Sequence, residues 1–357
     1  MIWFYREPWI SWTIITCGIL TGLAVTGLAK DERPSLASAE PIDVQLTPLP
    51  INPTDPAQTK VGLLRYRGGG ELKSDFKGFG GISGIDLSAD GTRFIAVSDR
   101  GLWLTGRVIR NETGRISRIE DARMSSIRGE NGAALEGKRS ADAEAVRLYA
   151  FPEPTVLVSF EREHRILRFS IENADFASVF AASGALVSPP DHLDKQRDNG
   201  GLEALATGAD GTIILISESD GPRKGIARAW RRTAAGVWEE GSYPPPAGYR
   251  ATDAAFVSPT ELIVINRRYT PLSGVSAIVT AVGVGSLFDE APSGNARPSS
   301  GPTELALLKP PLQVDNLEAA DVWIAPDGKR ILTILSDDNF NSIQRTLWLE
   351  FELPDRF

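Results

Sequence analysis

One pattern recurs five times along this chain: an acidic residue beside small or apolar residues, a short strand, a turn, a strongly apolar strand, then a polar acidic cluster. The copies read GIDLSADGTRFIAVSDR (84–100), AEAVRLYAFPEPTVLVSFERE (143–163), LEALATGADGTIILISESD (202–220), TDAAFVSPTELIVINRR (252–268) and LEAADVWIAPDGKRILTILSDDN (317–339). Their leading acids, Asp86, Glu144, Glu203, Asp253 and Glu318, stand 58, 59, 50 and 65 residues apart. A hairpin-sized unit cannot bury its apolar surface alone, so repeats of this kind must pack on one another. With no long amphipathic helix between the copies, radial repetition of small sheets is the expected solution, an all-β propeller.

The turns support hairpins. Asp90-Gly91, Asp210-Gly211 and Asp327-Gly328 place Gly where a tight reversal needs positive φ. The second strand of each unit, as in residues 212–216 and 331–335, is apolar without clean alternation, which predicts a strand covered on both faces. From Asp86 to the end there are 272 residues, so five blades average about 54 residues and six about 45. Five or six blades are therefore expected, a sixth falling near residues 270–315. Residues 61–67 form a strand left over before the first repeat, and residues 346–353 form the last one. Both are expected in one blade, closing the ring between the two ends of the chain.

Residues 9–29 carry no charge over 21 positions, with Arg6 before them and Lys30, Asp31, Glu32 and Arg33 after. The run is long for a signal-peptide core and long enough to span a bilayer. Ala37-Ser38-Ala39 offers a small-x-small cleavage pattern. The segment thus reads as a signal peptide or an uncleaved membrane anchor over 1–29. A Pro-rich linker over 30–60 and the propeller over 61–357 follow. That organisation predicts an exported, monomeric domain in the periplasm or on the outer face of the inner membrane, with a membrane tether if the segment is retained. The single cysteine, Cys17, lies inside the apolar run, so no disulfide staples the domain. Asp and Glu total 46 against 38 Lys and Arg, a net charge of -8, which disfavours nucleic acid as a partner.

After each apolar strand comes a polar cluster: Ser98-Asp99-Arg100, Glu161-Arg162-Glu163, Glu218-Ser219-Asp220, Asn266-Arg267-Arg268 and Asp337-Asp338-Asn339. Repetition around one axis brings these to one end of the central channel, and the leading acids lie 13 to 19 residues earlier across a hairpin. So many carboxylates repel and call for cations. Calcium, which takes 6–8 oxygen ligands from separate loops, is the expected one, and Asp86, Asp99, Glu144, Glu161, Glu203, Glu218, Glu318, Asp337 and Asp338 are its candidate ligands. Zinc is disfavoured, since His164 and His192 are the only histidines. Arg100, Arg162 and Arg267 beside the acids suit the anionic group of an ester substrate, with Asp337 and Asp338 orienting water or metal. A nucleophilic serine is not indicated, because no G-x-S-x-G occurs.

The segments GISGID (81–86), AVSDRG (96–101), DAEA (142–145), NGGLEAL (199–205), DNLE (315–318) and LSDDNF (335–340), in this order, resemble the phytase-like domain family, also described by esterase-like activity of phytase. The resemblance covers roughly residues 62–353. It implies an exported propeller with hydrolytic activity. The Asp-Ala-Pro-Ala-Ile-Trp and Asn-Asn-Val-Asp motifs of calcium-dependent propeller phytases do not occur here, so the resemblance does not carry phytate as the substrate. The expectation is therefore metal-assisted cleavage of a phosphate or other anionic ester. A non-catalytic carbohydrate- or protein-binding propeller and a calcium-dependent lactonase-like propeller are the alternatives.

Overall fold

Five antiparallel sheets, arranged as blades, account for nearly all regular structure in the computed structural model, which describes residues 36–357 apart from 37, 151, 174, 222 and 290–300. The inner strands are Ile82–Leu87, Ala143–Tyr149, Leu202–Thr207, Arg250–Ser258 and Asn316–Ile324. Each pairs with the apolar strand of its repeat, and they neighbour one another in cyclic order, the fifth lying against the first. The export segment expected over 1–29 lies outside the described residues. Among the described residues no helix is long and apolar enough to cross a membrane.

Apolar packing explains the ring. Five hydrophobic clusters fill the five gaps between adjacent blades, the first-to-fifth gap included. Trp103 and Phe169 meet edge to face at 5.0 Å between the first and second blades; Phe94 and Trp348 do so at 5.4 Å between the first and fifth. Each such pair adds about 1 kcal/mol beyond its burial. At the Asp90-Gly91 turn, φ is +65°, and a Cβ on Gly91 would lie 2.4 Å from the Trp323 ring. The turn residue that sequence pattern marks is therefore also a packing requirement.

Two expectations change. Among the described residues, 270–315 form no sixth blade: Gly274–Gly283 and Thr303–Leu308 are the outer strands of the fourth. Nor is residues 30–60 a free linker where it is described. Glu40–Pro41 pairs with Ile116–Ser126 at the edge of the first blade, Gln45–Pro48 pairs with Leu64–Lys73 at the edge of the fifth, and Ile51 is fully buried. Proline is tolerated there because an edge strand leaves N–H positions unpaired anyway. Leu64–Lys73 in turn pairs with Thr346–Glu352, Tyr66 opposite Phe351, so the strand before the first repeat and the last strand share one sheet.

Candidate site at one end of the channel

A β-bulge stands at the same place in all five inner strands, and its extra residue is Ser83, Glu144, Glu203, Thr252 or Glu318. A bulge re-aims one side chain relative to the ladder. The second strand ends opposite, and there the equivalent residues are Asp99, Glu161, Glu218, Arg267 and Asp337. The Asp99, Glu161 and Glu218 N–H groups donate to the carbonyls of Gly81, Asp142 and Gly201, each two residues before its bulge, and Arg267 and Asp337 pair with Arg250 and Asn316 at the same level. Two rings of equivalent positions are thus stacked at one end of the channel.

The bulge residues divide by chemistry. Ser83 Oγ donates to Ala143 O at 2.8 Å and Thr252 Oγ1 to Leu317 O at 3.0 Å, so both stitch one blade to the next. Ionised Glu144, Glu203 and Glu318 have no hydrogen to donate. Among the described residues the Glu144 and Glu203 carboxylates take part in no hydrogen bond or ion pair. Burial pushes the carboxyls of Glu144 and Glu203 well above the usual range; the charge of Glu203 pushes Glu144 further, and that of Glu218 pushes Glu203. Burial likewise raises Asp337, helped by Glu318 and Asp99, and it raises Glu318 against the opposing pull of Arg267.

Lys138, Arg162 and Arg267 pair with carboxylates of this end. Lys138 lies 2.7 Å from Asp99 and 2.5 Å from Asp142; although burial disfavours its charge, the Asp99 and Asp142 carboxylates raise its pKa. Arg162 lies 2.6 Å from Asp142 and bonds Asn199. Arg267 occupies the fourth-blade position that carries an acid elsewhere, bonds Asn316, and lies 3.6 Å from Glu218 and 3.4 Å from Glu318. Against them stand nine carboxylates: Asp99, Asp142, Glu144, Glu161, Glu203, Glu218, Glu318, Asp337 and Asp338.

Asp142, Glu144 and Glu161 each bring a carboxylate oxygen within 4.8 Å of the others, and all three are buried. The Glu161 Oε1 atom accepts the N–H groups of Gly200 and, at 3.0 Å, Gly201, which fixes its direction. An all-oxygen set gathered from separate loops fits the hard, flexible coordination of calcium. Asp338 behaves otherwise. Its Oδ1 accepts the N–H groups of Gly81 and Phe340, both at 3.0 Å, clamping the turn after the fifth blade's second strand to the start of the first blade.

Asp86 and Asp253 do not reach this end. Asp86 stands three residues beyond its bulge and Asp253 one, because the extra bulge residue breaks the alternation on which the repeat alignment rests. They belong to a second cluster further along the channel, whose Asp86, Arg147 and Asp321 stand three residues, about 10 Å at ~3.3 Å per residue, beyond their bulges. Its centre is Arg147, 2 % exposed, which pairs with Asp253 at 2.7 Å and donates to the carbonyls of Ile85, Val146, Ala254 and Ala320 at 2.5–2.8 Å. Asp86 accepts the Leu148 N–H (3.0 Å), Asp321 the Leu87 N–H (2.8 Å) and Asp253 the Ala320 N–H (2.8 Å), each from the adjacent blade. Burial raises Asp253 to about 7 and Asp321 to about 6, with Arg147 opposing in both cases.

Sequence reading expects Asp99, Glu144, Glu161, Glu203, Glu218, Glu318, Asp337 and Asp338 at one end of the channel, and the structure brings them there, with Arg162 and Arg267 among them. That reading misses Asp142, Lys138, Arg147 and Asp321. A signal existed for three of these: Asp142 precedes its bulge by two, as Gly81 and Gly201 do, and Arg147 and Asp321 share the offset of Asp86. Arg100 makes no ion pair among the described residues and stacks on Phe340, its guanidinium carbon 3.2 Å from the ring centre. His164 rests against the Arg197 carbonyl, and His192 pairs with Glu240.

Fold and site define an acid-lined five-bladed β-propeller. The chain belongs to the family described as Phytase-like: esterase-like activity of phytase, which it matches over residues 77–340. None of the curated proteins matches its sequence. Among solved structures it is similar to the β-propeller domain of Cps50 (Swd1) from Myceliophteria thermophila, at 10% identity and TM-score 0.38, over 80% of this chain and 99% of that one. It is also similar to Sqt1 from Saccharomyces cerevisiae, at 8% identity and TM-score 0.39, over 80% of this chain and 74% of that one.

Proposed function

We propose that this propeller is a hydrolase that cleaves a phosphate or other anionic ester at the acidic end of its channel, with calcium held there. One observation carries the reading. Where the bulge residue is Ser83 or Thr252 it stitches blades together, whereas Glu144, buried, and Glu203, half-buried, occupy the same structural position and take part in no hydrogen bond or ion pair among the described residues. Buried charge that does no work for the fold is expensive and points to a ligand.

In this reading Asp142, Glu144 and Glu161 hold the ion, with Glu203, Glu218, Glu318, Asp337 and Asp99 completing the surrounding ring. Bound calcium supplies Lewis-acid polarisation of the ester oxygen and compensates the carboxylate charge. The chain's own part is positional. Arg267 is fixed by Glu218, Glu318 and Asn316, and Lys138 holds Asp99 and Asp142 in place. Asp337 is oriented by the Asn339 N–H, 2.7 Å away, and burial with the charges of Glu318 and Asp99 raises its carboxyl, which suits it to orient a water. Asp338 serves as a clamp and not as a ligand. The family's esterase-like description supports hydrolysis. The uncharged run at 9–29 supports export to the periplasm or the outer face of the inner membrane, with or without a tether.

The test is turnover of a panel of phosphomonoesters and carboxyl esters with and without calcium, comparing wild type with Glu144→Gln. Calcium-dependent hydrolysis lost in the variant is expected. No turnover of any class, together with retained sugar or protein binding, would establish a binding module instead, and turnover confined to lactones would select the lactonase-like alternative.

A further inference from the structure

The basic groups at the acidic end are almost all spoken for. Lys138 is shared between Asp99 and Asp142, Arg162 between Asp142 and Asn199, and Arg267 among Glu218, Glu318 and Asn316. Arg100 is the exception. Its guanidinium forms no hydrogen bond and no ion pair among the described residues, although its sequence neighbour is Asp99. One face of it is covered by the Phe340 ring, which leaves the N–H edge for a ligand.

That stack is built, not incidental. Asn339 and Phe340 both adopt left-handed backbone, φ 48° and 50°, a conformation costing about 1–2 kcal/mol per residue. It is held by Asp337, which accepts the Asn339 N–H, and by Asp338, which accepts the N–H groups of Phe340 and Gly81. Beneath the ring the chain carries Gly81, where a Cβ would come within 2.4 Å of Phe340 and 2.3 Å of Asp99 Oδ1. Strain, clamp and glycine together fix the aromatic plate on which Arg100 lies.

Resting on the hydrolase reading above, we infer that Arg100 on its Phe340 plate is the docking point for the anionic group of the substrate, and that the substrate carries one such group and not several. A planar guanidinium edge takes a phosphate or carboxylate through two parallel hydrogen bonds. Among the described residues Lys138, Arg162 and Arg267 are already paired, so the remaining charges of a polyphosphorylated ligand fall against the carboxylate ring.

The experiment is calorimetric titration of the full chain with phenylphosphonate, which has one anionic group and no ester to cleave, with and without added calcium. A parallel titration uses tripolyphosphate on calcium-free protein. Wild type is compared with Arg100→Ala, Arg100→Lys and Phe340→Leu. Loss of at least roughly tenfold in phenylphosphonate affinity is expected for Arg100→Ala, the range of a charged hydrogen bond. A smaller loss is expected for Arg100→Lys, which keeps charge but not the fork, and for Phe340→Leu, which keeps the fork but not the plate. Tripolyphosphate should bind no more tightly than phenylphosphonate. Failure of wild type to bind phenylphosphonate, unchanged affinity in Arg100→Ala, or tenfold tighter tripolyphosphate binding would each overturn the inference. Should Arg100→Ala not fold, undiminished binding by both Arg100→Lys and Phe340→Leu would do so. The two readings fail separately: Arg100-dependent binding without turnover removes the hydrolase, while turnover with unchanged KM in Arg100→Lys removes the docking point.

Discussion

Two clusters of buried and half-buried carboxylates sit in the same channel, and they are settled in opposite ways. Around Arg147, every acid accepts a backbone N–H from the neighbouring blade, and the guanidinium binds carbonyls of the first, second, fourth and fifth blades. At the channel end, nine carboxylates face the three cations that pair with some of them, and among the described residues Glu144 and Glu203 take part in no hydrogen bond or ion pair. Acidity alone therefore does not mark a site. What separates the clusters is whether the fold itself uses the oxygens.

The largest expected effect lies in the inner cluster. Arg147→Ala leaves Asp253 buried and four carbonyls without a donor; breaking a buried pair costs about 3–5 kcal/mol. Denaturant unfolding should show a loss of that size, and a loss under about 1 kcal/mol would mean the guanidinium does not hold the blades together. The outer ring should respond with the opposite sign. Glu203→Gln removes a repelled charge, so its calcium-free melting temperature at pH 8 should rise by roughly 2 °C while the shift produced by calcium shrinks. A fall instead would show that Glu203 supports the fold.

Proton linkage tests both clusters at once. Asp253 and Asp321 have folded values near 7 and 6, above the ~3.9 of an unfolded Asp. A raised carboxyl contributes stability that is fully present below the unfolded value and lost as pH rises through the folded one. Calcium-free melting temperature should therefore decline from pH 5 to pH 8, and Asp321→Asn should flatten the part near pH 6. A profile rising over that range contradicts the burial of these groups. The smallest effect belongs to a surface pair: Asp198, 3.7 Å from Arg139 with both side chains well exposed, should change stability by less than about 0.5 kcal/mol when replaced by Ala.

The blades were legible in the sequence because their cues are local: Asp-Gly turns and apolar second strands need no knowledge of the rest of the chain. The outer ring was legible for the same reason, since Asp99, Glu161, Glu218 and Asp337 each follow such a strand directly. Asp86 and Asp253 were misplaced because a bulge adds one residue that no composition pattern marks, and after it the alternation restarts on the other face. Lys138 lies on a connection between blades and Arg147 is an isolated cation in an apolar strand, so neither repeats. The edge strands within 40–48 were hidden by their prolines, which read as linker until the pairing is seen.

Each of the five seams between blades is filled by its own packed cluster, so no blade can slide outward without emptying two of them. The channel's aperture is consequently a fixed gauge. Carboxylates on loose loops would relieve their repulsion by drifting apart; here they are kept at a preset spacing, and only an ion or a proton small enough to enter can relax it.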